Sequence, residues 1–137
     1  MAYIHKWLIE NRILYNEYNG SISKEDITEM VSSDVEYLDK SDALLVHCLV
    51  NIRALTSIPT NIKCLSESTQ AILGHPQIGW VIAYGNQIPA GAFITTIVAQ
   101  LFKTRFRLLN SHNEALDFLK TVDVTLPDLQ ALYEHDH

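Results

Sequence analysis

Six histidines and two cysteines supply the residue types from which nucleophilic, acid–base and metal sites are built. Their spacing keeps them apart. His47 and Cys48 are neighbours in the strand-like run "ALLVHCLV", so their side chains point to opposite faces and cannot act on one atom. His47 is therefore expected to be a satisfied core or sheet histidine. His75 lies in a loop entering a strand, the wrong end of a sheet for a site shared with His112. Ser57 and Ser111 have no histidine–carboxylate partner at a readable spacing. His135 and His137 flank Asp136 in a tail, where fraying is the default. The five glycines are scattered and form no phosphate-cradling loop. No catalytic residue, metal ligand or cofactor is expected, and an enzyme is not the favoured reading.

Cys48 falls in a predicted strand and Cys64 in a predicted helix, neither with a CxxC partner. Both are expected as buried free thiols in a reducing cytoplasm. Ten Lys and Arg against sixteen Asp and Glu give a net charge of -6. That balance argues against nucleic acid, whose binding needs a basic face. The opening "MAYIHKWLIE" has no cationic stretch followed by an apolar run, so no signal peptide is expected. No window reaches the roughly 18 apolar residues of a membrane-spanning helix. A single cytoplasmic domain over 1–137 is expected, since 47% hydrophobic and 19% charged residues suit a folded core.

The elements that must position any site follow from periodicity. Ile4–Ile9 and Ile13–Tyr18 read as strands joined by the turn Glu10-Asn11-Arg12, a hairpin. Ser23-Lys24-Glu25-Asp26 resembles a capping box, and Ile27, Met30, Val31, Val35 and Leu38 follow at helical spacing. Ala43–Val50 is nearly all apolar, the mark of a strand covered on both sides. Thr60 can cap a helix lined by Ile62, Leu65, Thr69 and Ile72, which Gly74-His75-Pro76 stops. Ile78–Tyr84 is a further buried strand, and Pro89 opens an apolar helix to about Phe102. Thr104–Leu109 reads as a strand with Arg105 and Arg107 on one side. Ser111-His112-Asn113-Glu114 is a second capping box before Ala115, Phe118, Leu119 and Val122. Pro127 begins a last short helix. The order ββαβαβαβα predicts right-handed crossovers and a mainly parallel sheet.

Ligands of open parallel sheets collect outside the carboxyl ends of the strands. There the loops 51–60, "YGNQIP" and "NSHN" bring together Arg53, Ser57, Thr60, Asn61, Asn86, Gln87, Ser111 and His112. One cation and two helix N-termini could receive an anion; the same residues serve equally as caps and turns.

The order of elements resembles a STAS domain, the class that includes bacterial anti-sigma-factor antagonists and shares its architecture with the lipid-binding half of Sec14-type proteins. The segments "HKWLIENRILYNEYNG", "HPQIGWVIAYGNQIP" and "VAQLFKTRFRLLNSHNEALDFL" resemble a group of STAS-like proteins of unassigned function. The resemblance implies a SpoIIAA-like α/β fold: a five-stranded, mainly parallel sheet with an N-terminal antiparallel hairpin and four to five helices. Regulated members of that class carry a motif like Asp-Ser-Ser-Gly where a partner kinase phosphorylates a serine. Pro59, Thr60 and Asn61 align with its first three residues, so an amide stands where the acceptor hydroxyl belongs, and Ile62 replaces the glycine. A switch that adds charge at this helix start is then not available through residue 61. The resemblance implies a non-catalytic protein-interaction or regulatory module; the alternative is a module for a lipid-like or anionic small molecule.

The stretch "PAGAFITTIVAQLF" is more apolar than a peripheral helix needs. Phe93, Thr96, Gln100 and Phe102 are candidate interface positions. Homodimerisation, a partner protein, the C-terminal segment 124–133 or a hydrophobic ligand groove would each bury the excess.

Overall fold

The computed structural model describes residues 3–42, 45–57, 63, 67, 72, 75–85 and 105–134. Strand β1 (Tyr3–Ile9) turns through Asn11, whose φ is 65°, into β2 (Ile13–Ser21). An asparagine tolerates that left-handed conformation better than most residues. Arg12 N–H donates to the Ile9 carbonyl at 3.0 Å and closes the turn. Helix α1 (Lys24–Lys40) follows, then β3 (Val46–Ser57), β4 (Ile78–Tyr84) and β5 (Phe106–Leu109). Helix α2 (His112–Val122) and a 3-10 turn (Gln130–Leu132) complete the described elements.

The sheet has five strands in the order β1-β2-β3-β4-β5. Only the β1–β2 pair is antiparallel; β2–β3, β3–β4 and β4–β5 run parallel. Two α-helices and one 3-10 turn lie among the described residues, fewer than the four to five helices expected. The expected helices over 60–73 and 89–102 fall largely or wholly outside those residues. Within the first, Lys63, Glu67 and Ile72 are helical, and Ile72 is buried in the core under α1.

Each sheet face has its own core. Leu14, Cys48 and Val81 point toward α1, where they meet Ile27, Val31 and Leu38. Ile13, Tyr15, Leu49 and Ile82 point the other way, onto Ala115, Leu116 and Leu119 of α2. Adjacent residues in a strand face opposite ways, so a sheet covered on both sides needs the continuous apolar runs seen in β3 and β4. Each leucine of α2 buried this way stabilises the domain by about 1.5–3 kcal/mol.

The two helix starts differ. Ser23 Oγ accepts from Asp26 N–H at 3.1 Å and Asp26 Oδ2 accepts from Ser23 N–H at 2.9 Å, a reciprocal capping box. Ser111 Oγ accepts from Glu114 N–H at 3.2 Å, but Glu114 Oε2 reaches back to Asn110 N–H instead. The second start is thus a serine cap without the reciprocal half that its sequence suggests.

The largest departure is at β3. The apolar run predicts a strand over 43–50 and a loop from residue 51; the strand begins at Val46 and continues to Ser57. Glu17 pairs with Asn51 but Asn19 pairs with Ala54, and Gly20 pairs with Leu55 but Ser21 with Ser57. One extra residue enters β3 at each step, so the strand carries two bulges. The first resets the alternation: Asn51 and Arg53 lie on the α2 side, whereas Leu55 joins the α1 core.

Candidate functional site

Two of the sequence-predicted rim residues are therefore strand residues. Arg53 and Ser57 lie on β3, beyond the point where β4 ends opposite Asn51. Ser111 caps α2, and His112, its first residue, is buried at 6% exposure rather than presented at a rim. Thr60, Asn61, Asn86, Gln87 and the interface candidates Phe93, Thr96, Gln100 and Phe102 lie outside the described residues.

At the carboxyl end of the sheet, Glu17, Asn51 and Tyr84 share one rung across β2, β3 and β4. Asn51 Nδ2 donates to the Tyr15 hydroxyl at 2.9 Å, and that hydroxyl donates to Glu17 Oε1 at 2.6 Å. Asn51 Oδ1 accepts from Arg53 N–H at 2.9 Å and from Arg53 Nε at 3.3 Å. A buried asparagine so aims the guanidinium, which stands 5.4 Å from the Tyr84 ring centre. Gly85, at φ 90°, lets the chain leave β4 against Arg53; a Cβ there would lie 2.2 Å from Arg53 Cγ.

The guanidinium is held by the chain's own C-terminal segment. Arg53 donates through both terminal nitrogens to Glu134, at 2.7 and 2.8 Å. Asn113 fixes that segment in turn, donating to the Glu134 carbonyl at 2.7 Å and accepting from Glu134 N–H at 2.8 Å. The hydrogen bond to Glu134 is the main cause that raises the Arg53 pKa, and the reciprocal bond holds the Glu134 carboxyl below its ordinary value.

His112 belongs to the same wall. Its Nε2 faces the Leu132 carbonyl at 2.8 Å, so that nitrogen carries the proton, and Nδ1 accepts from the Tyr84 hydroxyl at 2.7 Å. Burial, with the neighbouring Tyr15 hydroxyl, pushes the Tyr84 phenol far above its usual pKa. Burial first and Glu17 second raise that of Tyr15. These phenols remain neutral hydrogen-bonding groups. The serines are engaged too: Ser57 Oγ lies 2.6 Å from Ser21 Oγ, and Ser111 caps its helix. The arrangement can bind and orient; none of these hydroxyls is paired with an unengaged base.

The sequence reading does not bring Tyr15, Glu17, Tyr84 and Glu134 to this site. The expected rim loops do bring Arg53 and His112 there, and Asn51, a polar residue after an apolar run, opens the first of those loops. Glu134 is 81 positions from Arg53, beyond any local spacing.

Under α1 lies a separate polar cluster. Asp34 takes His5 Nε2 at 2.6 Å and Asn16 Nδ2 at 2.9 Å, and Asn16 Nδ2 also lies 3.4 Å from Cys48 Sγ. Burial raises the Asp34 and Cys48 pKa values. The cluster ties β1, β2 and β3 to α1. Among the described residues no three His, Cys, Asp or Glu side chains form a metal-binding group. Among the same residues, no helix is long and apolar enough to cross a membrane.

Neither a family model nor a curated protein matches the sequence. Solved structures do resemble it. The anti-sigma factor antagonist SpoIIAA, in its unphosphorylated form, superposes with a TM-score of 0.59 at 9% identity, over 89% of this chain and 99% of that one. An uncharacterized protein of the DUF3478 family with a SpoIIAA-like fold, from Shewanella loihica PV-4, gives a TM-score of 0.60 at 18% identity, over 86% and 92%. Likeness at these identities carries the fold, and the strand order and pairing agree with the expectation stated for it: the chain has the SpoIIAA-like fold.

Proposed function

We propose that the chain is a non-catalytic protein-interaction or regulatory module of STAS type, bacterial and cytoplasmic, that works without serine phosphorylation at the usual loop. The observation that carries this reading is the β2–β3 ribbon. Past the Asn51–Tyr84 rung, β3 continues for six residues paired with β2 alone among the described strands, and Arg53, Ala54, Thr56 and Ser57 of that extension are exposed. A projecting ribbon with a positioned cation is a surface for another chain rather than a cleft for chemistry. The likeness in fold to an anti-sigma factor antagonist supports the same reading, as does the resemblance that aligns Asn61, by sequence, with the acceptor serine.

Photo-crosslinking in the source cell tests it. A photoreactive residue at Thr56 should give a discrete protein adduct that the same residue at Lys120, on the exposed side of α2, does not give. A second copy or a different protein in that adduct separates homodimer from partner. No adduct at Thr56, or the same adducts from both positions, contradicts the reading.

A second reading, an anionic-ligand module, is supported by the bidentate geometry with which Arg53 holds the Glu134 carboxylate, a seat that an incoming anion would take by displacing Glu134. Native mass spectrometry of gently purified protein would then show added small-molecule mass; bare chain counts against it.

A further inference from the structure

The opposite edge of the sheet holds a cavity of about 470 Å³, a size at which small molecules are bound. Its walls come from the amino ends of the parallel strands and the end of α2. Arg12 precedes β2, His47 lies near the start of β3, Trp80 is in β4, Arg105 precedes β5, and Asp123 caps α2. Leu45, 37% exposed, adds an aliphatic side.

The floor is rigid. His47 is 1% exposed; its Nδ1 accepts from Trp80 N–H at 2.9 Å and its Nε2 donates to Asp123 Oδ2 at 2.9 Å. The ring rests on Gly79, where a Cβ would lie 2.5 Å from Nδ1. With Nδ1 accepting, His47 is neutral.

The charges in the wall do not cancel. Asp123 is saturated: Oδ2 takes His47 and Arg12, and Oδ1 takes Thr125 N–H and Oγ1. Arg12 is spent on the same group, donating to Asp123 at 3.1 Å and to Thr125 Oγ1 at 2.6 Å. Arg105 is different. It is exposed, and its hydrogen bond among the described residues is a long one, 3.4 Å to the Ile78 carbonyl. The α2 C-terminus adds partial negative charge, reduced where Asp123 N–H caps the Leu119 carbonyl at 2.9 Å. The surplus is one guanidinium beside an indole and an aliphatic wall.

We propose that this cavity binds a small organic anion, a carboxylate or phosphate ester with an apolar body, its charged group on Arg105 and its body against Trp80 and Leu45. The site is at the other edge of the sheet from Arg53 and does not depend on the interaction-module reading.

The test is a proton–nitrogen NMR titration that follows the Trp80 indole signal, assigned in a Trp7→Phe background. The probes are benzoate and phenyl phosphate, with inorganic phosphate as charge alone and benzyl alcohol as body alone. At least one organic anion should shift Trp80 saturably, and the two controls should not. Arg105→Gln should weaken that binding about tenfold, the loss of one charge-assisted hydrogen bond, and Arg105→Lys should recover part of it. Arg105 is exposed, and an unchanged spectrum away from the cavity verifies that the variant folds. No saturable shift with either organic anion, equal binding by a control, or unchanged affinity in Arg105→Gln overturns the proposal.

Discussion

At His47 both ring nitrogens are committed, one to a backbone amide and one to Asp123, so the imidazole must stay neutral for the fold to keep both bonds. Burial lowers its pKa, against the pull of Asp123. The unfolded chain therefore takes up this proton first as pH falls. The contribution of His47 is complete above about pH 6.5 and is lost as pH falls through the depressed folded value. Urea unfolding between about pH 5 and 7 should show a smaller gain in stability with rising pH for His47→Gln than for the native chain. Gly79→Ala should cost about 1–3 kcal/mol, because the new methyl overlaps a ring that has nowhere to move. By contrast, Glu134→Gln should change stability by less than about 1 kcal/mol, because both members of the Arg53 pair are nearly half exposed. The same urea midpoints decide both; a near-neutral Gly79→Ala would mean that the His47 ring can shift.

Strand β3 is the element on which the site depends, and its second half was hidden in the sequence for a physical reason. "VHCLV" is apolar on both faces and reads as a strand. "NIRALTS" contains two extra residues relative to β2, so its polar and apolar positions fall out of phase with simple alternation. Strand β4 has no bulge between Val81 and Tyr84 and is bounded by Pro76 and Gly85, and its limits were legible to the residue. The distinction has a measurable consequence. Leu55 is 5% exposed within the α1 core, so Leu55→Ala should cost about 2–5 kcal/mol. Thr56→Ala, on the exposed side, should stay within about 0.5 kcal/mol. Equal and small effects would return residues 51–57 to a loop.

For the whole molecule, strand alternation and helix caps were enough to give the mixed sheet and its two covered faces. They could not give the closures made by the C-terminal segment. Glu134 on Arg53, Leu132 on His112 and Asp123 on His47 each join residues at least 20 positions apart. Such contacts follow from how α2 and its extension cross the sheet. They leave a polar network at one edge and a cationic cavity at the other. We propose that this SpoIIAA-like fold acts through its surfaces rather than through a phosphorylated serine. Intact-mass analysis after incubation with a serine kinase of the anti-sigma type tests this most directly. The expected result is a chain of unchanged mass; stoichiometric phosphate on Thr60 or Ser57 would contradict it.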